Sequence, residues 1–180
     1  MAKAVTDASR IRSAGFPPVA GPDARVLILG SLPGQASLAA GRYYAQPRNA
    51  FWPIMGRLFG AGPELDYAAR LRRLIAARVA LWDVCASAHR PGSLDQKIDA
   101  ASVTPNDFAR FFADSSGIAR IFFNGAAAER LYFSLVRSEL EAPAARIETL
   151  RLPSTSPAHA SLRFEQKLAA WEEVRNAAGR

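Results

Sequence analysis

Four short apolar runs are spaced along the chain, and the segments between them have a different periodicity. The runs cover residues 25–30, 79–84, 118–124 and 147–152, and a turn or a polar loop follows each of them. The first three are almost continuously apolar, which is typical of strands buried on both faces of a sheet. The pattern therefore predicts four strands in the core of the protein.

The segments between these runs carry helical patterns. Residues 64–78 place apolar side chains on one face and arginines mostly on the other, and we interpret the arginine face as a solvated surface rather than a DNA groove. Residues 125–138 and 164–177 are the later predicted helices. Thr104 is predicted to cap a further helix, because a proline and acidic residues suited to a first turn follow it.

Strands that alternate with helices predict an α/β fold. In such a chain the strands form a parallel sheet, right-handed crossovers connect them, and helices cover both faces. Ligands of these sheets bind beyond the carboxyl ends of the strands. Functional residues are therefore expected after Leu29, Val84, Phe123 and Leu152.

Two segments after the first strand contain candidate ligand-binding residues. Residues 30–37 (GSLPGQAS) suit a tight turn whose backbone approaches a ligand closely. Residues 43–52 (YYAQPRNAFW) bring aromatic rings and an amide to the same edge. Aromatic rings can stack on nucleic-acid bases, and an amide can hold a water or a base edge. The alternative for Phe51 and Trp52 is that they are core anchors of the next helix.

The second and fourth strands are also followed by polar candidates. Asp83, Cys85 and Ser87 lie at and after the end of the second strand, where Asp83 is either part of a ligand pocket or a satisfied strand-end carboxylate. Residues 152–159 (LPSTSPAH) place hydroxyl groups and backbone amides between prolines, an arrangement suited to gripping phosphates. The alternative for this loop is an ordinary capping turn before the last helix.

The charge balance favours a polyanionic partner. The net charge is +7, and most of the basic residues are arginines. A positive field of this size attracts nucleic acid, although an Ala- and Arg-rich composition can also follow from a GC-rich genome. Charge alone therefore does not decide between the two explanations.

The sequence has few potential metal ligands and no long apolar stretch. These two features exclude several classes of metalloprotein and of membrane protein. The single cysteine, Cys85, excludes an intrachain disulfide and a cysteine-ligated iron–sulfur cluster. With only His89 and His159 a zinc site is not expected, so we predict no cofactor and no metal. The sequence contains neither a membrane-spanning run nor a signal-peptide pattern, which predicts a cytoplasmic protein without a membrane partner.

A set of short motifs resembles a known enzyme family. The motifs are GFPPV (15–19), VLILGSLPG (26–34), YYAQPRNAFW (43–52), LWDVCAS (81–87), GSLD (92–95), PNDF (105–108), IFFNGAAAERL (121–131) and LPSTSPA (152–158). In this order they resemble the uracil-DNA glycosylase superfamily, and specifically its hypoxanthine-DNA glycosylase branch. The PRNAFW segment and the FFNG and LPSTSPA pair carry most of the resemblance.

The resemblance implies both a fold and an activity. The implied fold is a single-domain, three-layer αβα structure with a central four-stranded parallel sheet, formed by residues 15–180 after an N-terminal extension, 1–14, that we expect to be mobile. The implied activity is that of a monomeric base-excision-repair glycosylase. It hydrolyses the N-glycosidic bond of uracil, hypoxanthine or both in single- or double-stranded DNA of the nucleoid. The alternative is a non-catalytic DNA-binding member of the same fold.

The resemblance also assigns roles to individual residues. Asn49 matches the asparagine that this branch uses for catalysis, and Phe51 matches the phenylalanine that stacks on the flipped base. The remaining residues expected at the base are Ser31, Leu32, Asp83 and Cys85. Those expected to contact the DNA strand are Pro33, Gly34, Ser37, Arg48, Ser154, Thr155, Ser156 and His159.

The sequence departs from the wider superfamily at two positions. Leu32 and Leu152 stand where other members carry polar residues that polarise the water and the leaving base. Asn49 is therefore the best candidate for positioning the water. His159 can either replace part of the missing function or be an ordinary residue of a surface loop. No lysine lies in the strand-end motifs, so simple hydrolysis is expected rather than a Schiff-base lyase reaction.

Overall fold

The computed structural model of the protein describes residues 12–179, in which strands alternate with helices. The strands are β1 (Arg12–Ala14), β2 (Val26–Gly30), β3 (Val79–Asp83), β4 (Cys85–His89), β5 (Thr104–Pro105), β6 (Arg120–Asn124) and β7 (Glu148–Leu152). The helices are α1 (Gln35–Ala40), α2 (Phe51–Phe59), α3 (Tyr67–Ala76), α4 (Phe108–Asp114), α5 (Ala126–Leu135) and α6 (Phe164–Ala178). Short 3₁₀ helices cover Asp95–Lys97, Ala100–Ser102, Arg137–Glu139 and Ala144–Arg146.

The four predicted strands form the central parallel sheet. Its order is β3-β2-β6-β7, and every neighbouring pair is parallel. Gly30 is paired with Asp83, and Asn124 is paired with Leu152. The carboxyl ends of the four strands therefore meet at one edge, as the sequence predicts.

Helices cover both faces of this sheet, and the alternation of side chains along β2 shows how. Val26 and Ile28 point into the cluster that contains the apolar faces of α2 and α6. Leu27 and Leu29 point into the opposite cluster, which contains α4 and α5. Residues of a strand alternate between the two faces of its sheet, so a strand covered on both sides is apolar throughout. The three-layer αβα prediction is confirmed.

A second, smaller sheet was not predicted. It has the order β1-β4-β5 with antiparallel pairing, and Arg12 is paired with His89. Residues 12–14, which we assigned to a mobile N-terminal extension, thus belong to a strand, and residues 1–11 lie outside the described part of the chain. The extent of the domain otherwise stays a prediction.

The start of α4 differs from the prediction. Thr104 does not cap it, because Thr104 and Pro105 pair with β4. The segment stays extended because Asn106 donates from its backbone to the Val84 carbonyl (2.9 Å) and from its side chain to the Asp83 carbonyl (2.8 Å). Asp107 caps the helix instead, accepting a hydrogen bond from the Arg110 N–H at 3.0 Å.

The helices are short compared with a lipid bilayer. The longest, α6, has 15 residues. None of the helices within residues 12–179 has the length and apolar character needed to cross a membrane.

Candidate active site

A cavity of about 350 Å³ opens at the carboxyl edge of the central sheet. Gly30, Asp83 and Asn124, the last residues of β2, β3 and β6, form its floor. Segments 31–37, 43–49, 93–95 and 154–158 contribute its walls. The cavity thus lies where parallel sheets generally bind ligands, and its volume is within the usual range for small-molecule sites.

A buried arginine from another segment of the chain fixes the turn after β2. Arg90, whose side chain is inaccessible to solvent, donates to the carbonyl oxygens of Leu32 (3.0 Å) and Pro33. Ser31 donates from its hydroxyl to Asp95 at 2.6 Å. Because both ends of the turn are fixed by side chains of another segment, its backbone is preorganised on one side of the cavity.

Asp83 is a buried carboxyl group with unused hydrogen-bonding capacity. Only 4% of the residue is exposed, and its Oδ2 atom has no hydrogen-bond partner within residues 12–179. Burial, and to a smaller extent the nearby Asp95, raise the pKa of Asp83 to about 7, and Arg90 opposes this shift. Close to neutral pH the group can therefore act as a donor or as an acceptor toward a ligand in the cavity.

Gly30 makes room for this carboxyl group. A Cβ atom at Gly30 would lie 2.3 Å from Oδ1 of Asp83 and 3.1 Å from the hydroxyl oxygen of Tyr44. No side chain larger than hydrogen fits there unless Asp83 moves. The glycine therefore serves a close approach in the cavity floor.

Asn49 lies on the cavity wall, just before α2. Its Oδ1 atom accepts a hydrogen bond from the Phe51 N–H at 3.0 Å, and its own N–H donates to the Gln46 carbonyl at 2.9 Å. These two bonds fix the side-chain amide relative to the helix. One lone pair of Oδ1 and the Nδ2 group remain free of partners among the described residues, so the amide can still bind a water.

The loop after β7 is fixed by polar side chains from neighbouring elements. Asn124 donates to the Thr155 hydroxyl and accepts from the Thr155 N–H, both at 2.9 Å. Lys167 of α6 donates to the His159 carbonyl at 2.8 Å, and the Trp171 indole donates to the Pro153 carbonyl at 2.9 Å. Burial lowers the pKa of Lys167. The loop is thus a preformed wall of the cavity.

The two loops that close the cavity are also bonded to each other. The Ala50 N–H, at the start of α2, donates to the Thr155 carbonyl at 3.0 Å. Since Asn49 precedes Ala50 directly, this bond connects the 152–158 loop to the segment that carries Asn49.

Comparison with known proteins assigns the chain to a family. The model of the uracil DNA glycosylase superfamily matches residues 17–175, most of the chain. The chain belongs to this superfamily.

Two relatives and one solved structure agree with this assignment. The chain is 35% identical over 162 residues to a hypoxanthine DNA glycosylase of Methanosarcina acetivorans, which covers 89% of this chain and 96% of the relative. It is 34% identical over 116 residues to a hypoxanthine DNA glycosylase of Methanosarcina barkeri, covering 64% of this chain and 72% of the relative. A solution NMR structure of a candidate uracil DNA glycosylase from Methanosarcina acetivorans aligns with a TM-score of 0.77. There the identity is 32%, and the alignment covers 94% of this chain and all of that one.

The structure brings most of the predicted site residues of this superfamily member to one place. Asn49 and Asp83 both line the cavity. The others that line it are Ser31, Leu32, Pro33, Gly34, Ser37, Ser154, Thr155 and Ser156. The Ser37 hydroxyl, however, already accepts a hydrogen bond from the Ala45 N–H at 3.1 Å. This bond connects α1 to the 43–49 segment, the O–H of Ser37 can still donate, and contact of Ser37 with DNA stays a prediction.

Phe51 and Cys85 are not on the cavity wall. Phe51 is fully buried, because it opens α2, whose apolar face packs onto the sheet. Tyr44 stacks on it, with ring centroids 3.9 Å apart, and Tyr44 lines the cavity instead. Cys85 is enclosed in the opposite core cluster, where burial and the nearby Asp83 and Asp95 raise the pKa of its thiol to about 12.

Two predicted DNA-binding residues lie outside this cavity. His159 faces a smaller adjoining depression of about 170 Å³, and its Nε2 atom lies 3.3 Å from the Ser161 hydroxyl. It therefore does not occupy the place of the missing polar group in the cavity. Arg48 is exposed beside Asn49 and lines neither space.

Asn124, Asp95 and Tyr44 are among the cavity residues to which the sequence analysis assigned no individual role. Asn124 directly follows Phe123, one of the four strand ends at which functional residues were expected. Asp95 belongs to the GSLD motif, which carried no assigned role. Tyr44 was one of several aromatic residues in a single loop, and no periodicity distinguished it from the others.

Proposed function

We propose that this member of the uracil DNA glycosylase superfamily removes hypoxanthine and uracil from DNA by hydrolysing the N-glycosidic bond. The observation that carries the proposal is that the fixed amide of Asn49 and the carboxyl group of Asp83 both line the cavity at the strand ends. The Oδ2 atom of Asp83 has no hydrogen-bond partner within residues 12–179. Both curated relatives reported above are named as hypoxanthine DNA glycosylases, which supports catalysis over DNA binding alone.

Asn49 supplies the orientation of the attacking water in this proposal. The water oxygen forms a bond to C1′ while the bond from C1′ to the base nitrogen breaks and its electron pair leaves with the base. The water then loses one proton to solvent and the base anion takes one up, so the products are a sugar hydroxyl and the neutral base. Positive charge develops on the sugar and negative charge on the base. The free lone pair of Asn49 Oδ1 can accept a hydrogen bond from the water, and the Phe51 N–H keeps that oxygen in position. An amide cannot act as a strong base, so its contribution is positioning.

Asp83 and Asn124 supply the recognition of the base. Hypoxanthine and uracil share an edge in which a carbonyl group adjoins a ring N–H. The Asp83 carboxyl group can accept from that N–H when ionised or donate to the carbonyl when protonated. Asn124 uses one N–H on Thr155, and its second N–H, which lies near the Tyr44 hydroxyl, can donate to a base oxygen. One cavity can therefore read both deaminated bases.

DNA is the substrate, and the walls of the cavity contain groups that suit its backbone. Ser154 and Ser156, with their hydroxyl groups, and the turn at Pro33 and Gly34 line the cavity, and the net charge of +7 favours the polyanion. Lys167 of α6 donates a hydrogen bond to the His159 carbonyl in the loop after β7, and it does not line the cavity. Amine catalysis is therefore not proposed, and the enzyme is monofunctional.

Replacing Asn49 by alanine tests the proposed function. We expect the single-turnover excision rate on deoxyinosine- and deoxyuridine-containing oligonucleotides to fall by roughly 10²–10⁴-fold, a range taken from positioned catalytic groups. DNA binding should hardly change, because the amide acts mainly in the transition state. Asn176→Ala, at an exposed position of α6, is the matched control and should excise at the wild-type rate.

Two results would contradict the proposal at different levels. If the wild-type protein excises neither base from single- or double-stranded DNA, the proposed activity is wrong. If the wild type is active and Asn49→Ala keeps its full rate, only the assignment of Asn49 is wrong.

A further inference from the structure

We infer, on the basis of the proposed function, that Leu94 is an apolar wedge that enters the DNA duplex and fills the gap left by the extruded base. Leu94 belongs to the GSLD motif (92–95), and it lines the cavity without taking part in the roles proposed above. A wedge acts on the duplex around the base, whereas Asn49 and Asp83 act on the base and on the bond that breaks.

The rim of the cavity can be recognised from the exposure of the residues that line it. Most of these residues are buried or half-buried, and they form the floor and the walls. The exposed ones form the rim, and they are Gln35, Ala36, Ser93, Leu94, Pro157 and Ala158. Among them Leu94 has the only large apolar side chain. It is therefore the apolar group that DNA meets when a base is directed into the cavity.

Leu94 is unusually accessible for a leucine of this protein. Its exposed fraction is 49%, and within residues 12–179 the only other large apolar side chain that is exposed belongs to Phe133, at 46%. Phe133 lies on α5 and does not line the cavity. An exposed leucine contributes to binding when a partner removes its surface from water. At the rim of the cavity, that partner is the DNA.

The segment that faces Leu94 has no large apolar side chain of its own. A depression of about 170 Å³ lies between residues 93–96 and residues 154–159, and Leu94 lines both this depression and the cavity. Residues 153–159 (PSTSPAH) offer hydroxyl groups, an alanine, a histidine and two prolines, of which only Pro157 is exposed. Proteins that distort a duplex insert leucine, phenylalanine, isoleucine, methionine or proline between base steps. Leu94 is the larger of the two candidates at this rim.

The backbone on both sides of Leu94 is fixed to the cavity wall. The hydroxyl oxygen of Ser93 accepts a hydrogen bond from the Gln35 N–H at 2.9 Å. The Asp95 carboxylate accepts one from the Ser31 hydroxyl at 2.6 Å. Both donors belong to the segment 31–37, which forms one wall. Because its neighbours are held in this way, Leu94 is presented at a defined place, and little order has to be gained when DNA binds.

A wedge at this place would lower the cost of extruding a base. When a base leaves the duplex, its neighbours lose their stacking contacts, and a gap of roughly 3.4 Å along the strand remains. A leucine side chain in the gap replaces part of the lost contacts and hinders the return of the base, which meanwhile occupies the adjoining cavity of about 350 Å³. A single strand has no such gap, so Leu94 should matter for duplex DNA and hardly for single strands.

Single-turnover excision distinguishes a wedge from a contact with the base itself. Excision of hypoxanthine is measured at subsaturating protein concentration from one deoxyinosine oligonucleotide, as a duplex and as a single strand. Leu94→Ala should lower the duplex rate by roughly 10- to 100-fold, the range for burial of one leucine side chain, and leave the single-strand rate within a few-fold of the wild type. Leu94→Met restores a long apolar side chain and should recover the duplex rate. Phe133→Ala is the matched control and should excise at the wild-type rate from both substrates.

A binding measurement tests the gap in the absence of a base. A duplex with a tetrahydrofuran abasic-site analogue contains the gap but offers nothing to the cavity. In fluorescence anisotropy, Leu94→Ala should lower the affinity for this duplex by about the same factor as the duplex excision rate, and Leu94→Met should restore it. The affinity for an undamaged duplex should stay at the wild-type value in both variants.

The outcomes separate this inference from the proposed function. If the wild type excises neither hypoxanthine nor uracil from any DNA, the proposed function fails and the inference falls with it. If the wild type is active and Leu94→Ala keeps the duplex rate, or loses the same factor on single strands, the inference alone is overturned. A wild type that acts on single strands only would also overturn it, because no gap then has to be filled. Unchanged binding of the abasic duplex by Leu94→Ala, together with a loss in Pro157→Ala, would place the wedge on the loop after β7 instead.

Discussion

Asp83 and Asp95 line the same cavity but differ in their surroundings. Asp95 accepts a hydrogen bond from the Ser31 hydroxyl at 2.6 Å and lies 3.8 Å from the Arg90 guanidinium, with 41% of its side chain exposed. Asp83 is 4% exposed, and its Oδ2 atom has no partner within residues 12–179. Burial is the leading cause of a raised pKa in both, and Arg90 opposes the shift in both. In Asp95 the hydrogen bond from Ser31 opposes the shift as well.

The difference separates a structural carboxylate from one that is free to bind a ligand. A buried polar atom without a partner costs free energy, so it is retained in a folded protein where something else requires it. Asp95 uses its oxygens to hold the turn at Ser31. Asp83 keeps an oxygen free in the floor of the cavity, which is why we assign base recognition to it.

The largest effect is expected for Arg90→Met, which removes the guanidinium that lies 3.8 Å from Asp95 and holds the turn after β2. Its guanidinium donates to the carbonyl oxygens of Leu32, Pro33 and Gly92, and these would lose their donor inside the protein. We expect the free energy of unfolding to fall by about 2–4 kcal/mol in urea denaturation. Arg175→Met, at an exposed residue of α6, should change it by less than about 0.5 kcal/mol. Equal values for the two variants would show that Arg90 does not organise the turn.

An intermediate effect is expected for Asp83→Asn, and it should depend on pH. The carboxyl group has an ordinary pKa of 3.8 and a pKa of about 7 in the folded protein. Between these values the folded state binds more protons than the unfolded state, so stability falls as the pH rises. We expect the wild type to lose on the order of 2 kcal/mol of stability between pH 5 and pH 8 through this group, and Asp83→Asn to lose less.

Activity gives a second measurement on the same variant. Asp83→Asn should excise hypoxanthine about 10- to 100-fold more slowly, which corresponds to loss of one hydrogen bond from a charged group. Asp23→Asn, at an exposed position, serves as the control for both the pH profile and the rate. An unchanged rate together with a flattened stability profile would mean that Asp83 is buried without contacting the base.

The smallest effect is expected for Asp95→Asn. The amide oxygen can still accept from the Ser31 hydroxyl, and Arg90 keeps its bonds to backbone carbonyls. We expect a loss of about 1 kcal/mol of stability and an excision rate within a few-fold of the wild type. If Asp95→Asn slowed excision more than Asp83→Asn, the roles of the two carboxyl groups would have to be exchanged.

The central sheet could be predicted from the sequence because a strand that is buried on both faces has an almost continuous run of apolar residues. β2, β3 and β6 are almost continuously apolar, and helical patterns separate them, so a covered parallel sheet follows directly. The strand-end rule then located the cavity and correctly brought Asn49 and Asp83 to it. The small sheet was missed because β4 (CASAH) has small and polar residues rather than a continuous apolar run, and only its pairing with β1 and β5 defines it.

Which side chains face the cavity could not be predicted, because this depends on tertiary contacts and not on the local sequence pattern. The loop 43–52 contains several aromatic residues, and which ring faces the cavity is decided by how α2 packs onto the sheet. That packing buries Phe51, and Tyr44, which stacks on it, lines the cavity. Cys85 follows Asp83 by two residues, but the chain turns into β4 between them and carries the thiol into the other core cluster.

The burial of Cys85 has a practical consequence for experiments. It is the only cysteine of the sequence, it is enclosed in the core, and its thiol remains protonated at neutral pH. Maleimides and oxidants react with accessible thiolates, so this residue should be inert to both. The native chain is therefore already suitable for site-specific labelling. A cysteine placed at the exposed Ser161, next to the loop that closes the cavity, would carry a single fluorophore or spin label without any change to the native thiol.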